Sequence, residues 1–318
     1  MASRPIHILI VAAHPADSFD QAGGTMAHHV AQGDSVTCVV AATGVRSHHW
    51  QLAEEKRQKG ASLDIEERVQ AAVEEKLEET RRACSILGFD DVRDLGFEDD
   101  DILVTQDKIE AIAEAIREVK PDIIISHHPY EAGGLKMHGT IGQSTVYAWQ
   151  LAHGAGRGTQ QRHPVPIIYF MNPIAYIGSN SLEYASTSRV DLVVDISDVI
   201  DKKVMALDQI GSQYYGGAYS RKRAEVEDGH FGGKGYVAYG EAFQRFLPMV
   251  RYTLPVTDAE ISGIDMSPES GMGRRSEMVG GLMPLPDGMA YTSQYRFTKE
   301  MEKILGKAKL RSKPKKKD

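Results

Sequence analysis

Short apolar runs and longer amphipathic stretches alternate along the first 200 residues of this chain. The apolar runs cover residues 6–13, 35–42, 122–126, 166–170 and 191–196. Runs of this length, rich in Ile and Val and bounded by polar or turn residues, predict buried β-strands. A shorter strand is predicted over residues 91–95.

The stretches between these strands have apolar residues at helical spacing. One long amphipathic helix is expected over residues 63–87, followed by a Gly of the kind that commonly ends a helix. Shorter helices are predicted over residues 109–119, where Pro121 follows, and over residues 139–153. The alternation predicts an α/β fold with a doubly wound, mostly parallel, Rossmann-like sheet that carries helices on both faces.

Two polar residues with metal-binding side chains follow the first predicted strand. The strand stops at His14-Pro15, Asp17 comes three residues after His14, and a helix is predicted from Thr25, after a Gly pair. We therefore expect His14 and Asp17 in a loop at the carboxyl end of the strand, where open parallel sheets bind ligands. Imidazole and carboxylate groups are both good ligands for zinc.

The sequence from Ala12 to Thr25, AAHPADSFDQAGGT, resembles the opening motif of the PIG-L (LmbE-like) family of zinc-dependent deacetylases. Members of that family carry AHPDDE followed by a Gly-Gly-Thr helix start. The resemblance implies that His14 and Asp17 are the first two metal ligands. It also shows two departures, because Ala16 replaces the Asp that is the family's catalytic base and Ser18 replaces its Glu.

A second His-rich segment follows the strand predicted over residues 122–126. The resemblance aligns His138 with the family's third metal ligand, whereas Leu135 and Met137 replace the family's acid His and its Asp. Two His and one Asp leave a coordination position open for water or substrate, as in catalytic zinc sites. The expected cofactor is therefore Zn²⁺, although another divalent metal is compatible with these ligands.

Because Ala16 cannot accept a proton, the acid and base must come from other residues on the same rim of the sheet. Glu131 is the first choice for the base, since it is a carboxylate near Gly133-Gly134, and His48 is the second because imidazole titrates near neutrality. The candidate catalytic residues are Glu131, His48 and His128, and the candidate substrate-binding residues are Arg46, Ser47 and His127.

Three functions compete. The first is a zinc-dependent hydrolase that removes an N-acyl group from a small polar substrate. The second is a hydratase for an unsaturated carboxylic acid, because Ala16-Asp17 also resembles the branch of 4-oxalomesaconate hydratase. That branch has a Gly-Glu-Arg-Gly-Glu-Ser loop, whereas residues 44–49 here contain no Glu. The third is a relative that binds a metal or ligand without catalysis.

The charge and composition of the chain limit the kinds of partner that are expected. The net charge of −7 does not favour nucleic acid, and no apolar run approaches the roughly 20 residues of a membrane span. The N-terminus lacks the apolar core of a signal peptide, so a cytoplasmic location is expected, and a homo-oligomer is compatible with the sequence. Cys38 and Cys84 lie in apolar segments and are expected to be buried free thiols.

The chain divides by composition into three parts. Residues 1–255 are expected to form the catalytic domain, residues 256–306 an irregular extension, and residues 307–318 a basic disordered tail. The resemblance extends loosely to about residue 250. It implies a strand that ends near Ile196, then a helix that carries Lys202 and Lys203, and finally a helix over residues 236–243.

Overall fold

The computed structural model describes residues 4–60, 64–131, 136–155, 161–171, 173, 189–235 and 237–256. Within these residues seven strands form one sheet: β1 His7–Ala12, β2 Ser35–Val40, β3 Asp91–Asp94, β4 Ile123–Ser126, β5 Ile167–Met171, β6 Leu192–Asp195 and β7 Gly240–Arg245. The strand order is β3-β2-β1-β4-β5-β7-β6. Strands β1 to β5 are parallel, and β7 is antiparallel to both neighbours, so the predicted mostly parallel α/β sheet is confirmed.

Helices connect the parallel strands. They are α1 Pro15–Ala31, α2 Val45–His48, α3 Trp50–Lys59, α4 Glu66–Leu87, α5 Gln106–Val119, α6 Lys136–His153, α7 Ile200–Leu207, α8 Ala218–Arg223 and α9 Gly229–Gly235. A 3₁₀ turn covers Gly211–Gln213, and a π-helical turn over Ala224–Asp228 joins α8 to α9. The five strands predicted from the apolar runs and the shorter strand predicted over residues 91–95 are all present, with ends shifted by a few residues at most.

The core lies on both faces of the sheet because successive side chains of a strand point to opposite sides. Ile8 and Ile10 of β1 pack with residues of α1, α4 and α7, whereas Leu9 and Val11 pack with residues of α5 and α6. All four side chains are fully buried. The doubly wound arrangement places the carboxyl ends of β1, β2, β3 and β4 on one rim.

The start of α1 differs from the prediction. The helix begins at Pro15, about ten residues before Thr25, and His14 is its N-cap. Proline suits the first helical position because it has no N–H to satisfy, and the Asp17 carboxylate accepts a hydrogen bond from the His14 backbone N–H at 2.8 Å. Asp17 therefore lies in the first turn of a helix and not in a loop.

Two further expectations about local structure were wrong. The segment after β2 contains the short helix α2 and the start of α3, where a loop was expected. The helix expected over residues 236–243 is largely replaced by β7, which pairs with β5 and β6. The strand is favoured because Glu241 points inward and its carboxylate accepts hydrogen bonds from the backbone N–H groups of Gly24 and Thr25 at 2.9 and 2.8 Å.

Several predictions concern residues outside the described ranges. Leu63 and Leu135 are not described, nor are residues 257–318, which hold almost all of the predicted extension and the basic tail. Cys38 and Cys84 are buried free thiols, as expected. None of the described helices is long and apolar enough to cross a membrane.

A buried charge network fastens α1 to β7. The Lys203 ammonium of α7 donates to Asp228 Oδ1 at 2.7 Å and to Glu241 Oε1 at 2.8 Å, and its side chain is fully buried. The close approach of α1 also requires Gly24, because a Cβ there would lie 2.6 Å from the Ile196 side chain. These contacts hold the first helix, which carries Asp17, against the far end of the sheet.

We predict that Lys203→Met lowers the free energy of unfolding by about 3–5 kcal/mol, because it leaves two carboxylates buried without their cation. Urea unfolding followed by circular dichroism measures the effect. The matched control is Lys202→Met on the same helix, whose side chain is exposed and should change stability by less than about 0.5 kcal/mol. Equal stability of the two variants would contradict the proposed anchoring role.

Candidate metal centre

The three predicted ligands come together at the carboxyl ends of two neighbouring strands. His14 follows β1 and Asp17 lies in the first turn of α1, while His138 lies in the first turn of α6, after β4. Because β1 and β4 are adjacent and parallel, the segments that follow them meet on the same rim. The exposed fractions are 2% for His14, 9% for Asp17 and 0% for His138.

The spacing of the ligand atoms suits a tetrahedral metal ion. Asp17 Oδ2 lies 3.3 Å from His14 Nδ1 and 3.2 Å from His138 Nε2. Zinc bonds of 2.0–2.2 Å in tetrahedral geometry place neighbouring ligands about 3.4 Å apart. His14 Nδ1 is buried and has no hydrogen-bond partner among the described residues. The donor set therefore fits a zinc-class ion held by His14, Asp17 and His138.

The charges at this centre suit a cation. Burial raises the pKa of Asp17, but the charge of His138 and the hydrogen bond from its ring outweigh this effect and hold the pKa well below its usual range. Burial lowers the pKa of His138, but Asp17 and Glu131 outweigh it and raise that pKa to about 10. Without an ion, His138 therefore carries a proton, which a bound metal would displace.

A carboxylate stands behind each of the two imidazole ligands. Glu131 Oε1 lies 2.7 Å from His138 Nδ1, and Asp99 Oδ1 lies 3.4 Å from His14 Nε2. In both cases the carboxylate faces the ring nitrogen opposite the one that faces Asp17. Such partners fix the tautomer and orientation of metal-binding histidines. These contacts support an orienting role for Glu131, and its predicted role as general base remains untested.

Asp99 was not among the residues predicted for the site. It lies five residues after the end of β3, in an irregular segment without an apolar pattern. Its side chain is only 6% exposed, although its neighbour Asp100 is exposed. The available signal was positional, because β3 is parallel to β2 and its carboxyl end belongs to the same rim.

His127 packs against the metal-binding residues. Its Nε2 accepts a hydrogen bond from the Ala13 backbone N–H at 2.9 Å, and its ring stacks on His138 with centroids 4.0 Å apart. Its Nδ1 lies 3.6 Å from Glu131 Oε2, and the whole side chain is buried. These contacts hold the ring in place beside a metal ligand, whereas substrate binding by His127 stays a prediction.

His48 and Ser47 join the site through Asp99. The Ser47 hydroxyl donates to Asp99 Oδ2 at 2.8 Å, so its oxygen must accept the hydrogen bond that links it to His48 Nδ1 at 2.6 Å. Nδ1 of His48 therefore carries the hydrogen, and Nε2 keeps its lone pair. Burial, with the neighbouring charge of His14, lowers the pKa of His48 to about 4, so the ring is neutral near pH 7.

Two predicted site residues have other contacts. The Arg46 guanidinium binds both carboxylate oxygens of Glu66 at 2.7 and 2.8 Å and Glu98 Oε2 at 2.8 Å. Two carboxylates therefore already occupy the group that was expected to bind a substrate carboxylate. His128 is buried, accepts a hydrogen bond from the Tyr130 backbone N–H at 3.2 Å, and packs edge-on against Phe170.

Comparison with known proteins agrees with this geometry. The profile of the PIG-L family, described as GlcNAc-PI de-N-acetylase, matches residues 9–149. The chain is 30% identical over 229 residues to a probable N-acetyl-α-D-glucosaminyl L-malate deacetylase 2 of Bacillus cereus, covering 70% of this chain and 87% of that protein. The chain belongs to the PIG-L family. The relatives that it matches in sequence are named as deacetylases, so the expected PIG-L-like hydrolase is confirmed.

More distant matches agree on the fold. A 1D-myo-inositol 2-acetamido-2-deoxy-α-D-glucopyranoside deacetylase of Streptomyces griseus is 24% identical over 305 residues, covering 88% of this chain and 90% of that protein. The conserved protein TT1542 of Thermus thermophilus has a TM-score of 0.61 at 22% identity, and the 4-carboxy-2-hydroxymuconate hydratase GalB of Pseudomonas putida has 0.62 at 21%. Each covers 79% of this chain and 100% of the solved chain, and at these identities the likeness shows the shared fold alone.

We predict that His138→Ala abolishes stoichiometric zinc binding, because it removes one of three protein ligands. Elemental analysis of purified protein after dialysis against zinc gives the metal content directly. His28→Ala is the control, since His28 lies on α1 with Asp17 but pairs with Asp198 at the surface. If His138→Ala still bound one zinc ion per chain, the assignment of His138 as a metal ligand would be contradicted.

Proposed function

We propose that this protein is a zinc-dependent deacetylase that removes the N-acetyl group of a small polar substrate, a derivative of N-acetylglucosamine. The observation that carries the proposal is the buried set of His14, Asp17 and His138, in which each imidazole is backed by its own carboxylate. The names of the two curated relatives support the substrate class, because both are deacetylases of N-acetylated amino-sugar derivatives.

In this proposal His14, Asp17 and His138 hold the ion, and Glu131 and Asp99 orient the two imidazoles. A bound zinc ion supplies a Lewis acid for the acyl oxygen and lowers the pKa of a water molecule toward about 7. The reaction breaks the amide C–N bond and adds the elements of water to give acetate and a free amine. The chain must then provide an atom that accepts the water proton and returns it to the leaving nitrogen.

His48 Nε2 is the atom we assign to that role. Its ring lies 4.5 Å from the His14 ring, centroid to centroid, and Ser47 and Asp99 hold the tautomer that leaves Nε2 free to accept. The residue at the family's usual base position, Ala16, is 1% exposed and packs in the core. The proton acceptor is thus supplied by the segment after β2 in place of the first turn of α1.

Hydration of an unsaturated carboxylic acid is the competing function. Its support is the fold of GalB and the Ala16-Asp17 pattern, whereas both curated relatives are named as deacetylases. The cytoplasmic location and the homo-oligomer considered from the sequence remain predictions.

The two functions are separated by a direct assay. We predict that the zinc-loaded protein releases free amine from N-acetylglucosaminyl malate, measured with an amine-reactive fluorophore, and leaves the ultraviolet absorbance of an unsaturated dicarboxylate unchanged. Protein dialysed against a chelator is the control for metal dependence. Loss of the dicarboxylate absorbance without amine release would favour the hydratase instead.

We predict that His48→Gln lowers kcat by roughly 10²–10⁴ while the zinc content is kept, because a general base typically contributes that factor. Glu131→Gln should instead weaken zinc affinity by roughly 10–100-fold, as expected for an orienting carboxylate. Asp100→Asn, next to Asp99 but exposed, is the matched control and should change neither quantity. The assignment would be contradicted if His48→Gln kept full turnover while Glu131→Gln lost kcat at normal zinc content. Glu131 would then be the general base.

A further inference from the structure

Lys76 is a buried cation that the proposed reaction does not use. It lies in the middle of α4, its side chain is fully buried, and its Nζ has no hydrogen-bond partner among the described residues. Lysine is almost never fully buried unless it is paired, and an unsatisfied buried ammonium is costly. The Lys76 ammonium therefore lacks a hydrogen-bond acceptor among its described protein neighbours, and a bound anion could provide one.

The ammonium lies beside the metal centre. A Cβ placed on Gly44 would be 3.1 Å from Lys76 Nζ, 3.1 Å from His48 Nδ1 and 3.2 Å from His14 Cδ2. The Lys76 ammonium, the proposed proton acceptor His48 and the proposed metal ligand His14 thus all lie close to Gly44. Gly44 has a φ of +72° and no side chain, which allows its backbone to pack closely against all three groups.

The carboxylates near Lys76 are engaged elsewhere. Both Glu79 oxygens accept hydrogen bonds from Ser212, from its backbone N–H at 2.9 Å and its hydroxyl at 2.6 Å. Glu75 Oε2 lies 3.2 Å from His49 Nε2, and Asp99 faces Ser47 and His14. These groups attract the ammonium through space but do not bond to it, and burial still lowers the pKa of Lys76 to about 8.

We infer that Lys76 binds a carboxylate of the substrate beside the reacting acyl group. This inference rests on the proposed function and narrows its substrate to an N-acetylated compound that carries an anionic group. Arg46, which the sequence suggested for such a carboxylate, is paired with Glu66 and Glu98, whereas Lys76 Nζ has no hydrogen-bond partner among the residues that the structure describes. The acetate product is a second source of the same chemistry, and the experiment below separates the two.

The test compares ligand binding in wild type and Lys76→Met, both zinc-loaded, by isothermal titration calorimetry. L-malate represents the substrate carboxylate, acetate the product, and methyl N-acetylglucosaminide a neutral sugar. We expect Lys76→Met to lose at least about tenfold in affinity for L-malate and to keep its affinity for the neutral sugar. Lys56→Met, an exposed change on α3, should match wild type for all three ligands.

Thermal unfolding separates this role from a structural one. An ammonium without a bonded partner should cost stability, so Lys76→Met should unfold at the same temperature as wild type or a higher one. Lys76→Gln provides a second uncharged variant with the same expectation. A lower melting temperature in both variants would make Lys76 a structural counter-charge and would overturn the inference.

Two binding results would also overturn it: equal affinity of wild type and Lys76→Met for L-malate, or an effect confined to acetate. The binding assay does not depend on turnover. If no amine were released but malate binding still depended on Lys76, the proposed reaction would be contradicted and the proposed anion site would be supported. If amine release succeeded and malate binding ignored Lys76, the reaction would stand without this site.

Discussion

The candidate site depends on one carboxylate that faces three imidazoles. Asp17 Oδ2 lies 3.2–3.4 Å from nitrogens of His14, His127 and His138. This concentration of imidazole nitrogens around one buried oxygen is possible because β1 and β4 are adjacent, parallel and end together. Without this parallel pairing, His14 and His138 would not lie close to each other, and Glu131 and Asp99 would not face two neighbouring imidazoles.

The sequence predicted the parts of this structure that follow from local pattern. Apolar runs located five of the seven strands, and the residues that follow β1 and β4 were expected on one rim because parallel strands end together. The start of α1 was misplaced because the Gly pair was taken as the boundary, although Pro15 and Asp17 already carry the signals of a helix start. The fold follows from periodicity, whereas an exact boundary depends on individual capping contacts.

The rest of the site depends on contacts between distant segments. Asp99 and Lys76 reach the centre from the end of β3 and the middle of α4, and neither belongs to a recognisable motif. Arg46 was a reasonable candidate for anion binding until its partners were known, since Glu66 and Glu98 lie 20 and 52 residues away. Long-range pairing decides which charged groups are free to act, and spacing along the chain does not contain that information.

The anchoring of α1 has a consequence for how the chain can be divided. The segment recognised by the family profile, residues 9–149, includes all three proposed metal ligands. Yet the helix that carries Asp17 is fastened by Glu241 of β7, and Asp20 forms an ion pair with Arg223. The helix that carries Asp17 is therefore held by residues that lie more than 200 positions away and outside the matched segment, so the family motif and the distant strand belong to one structural unit.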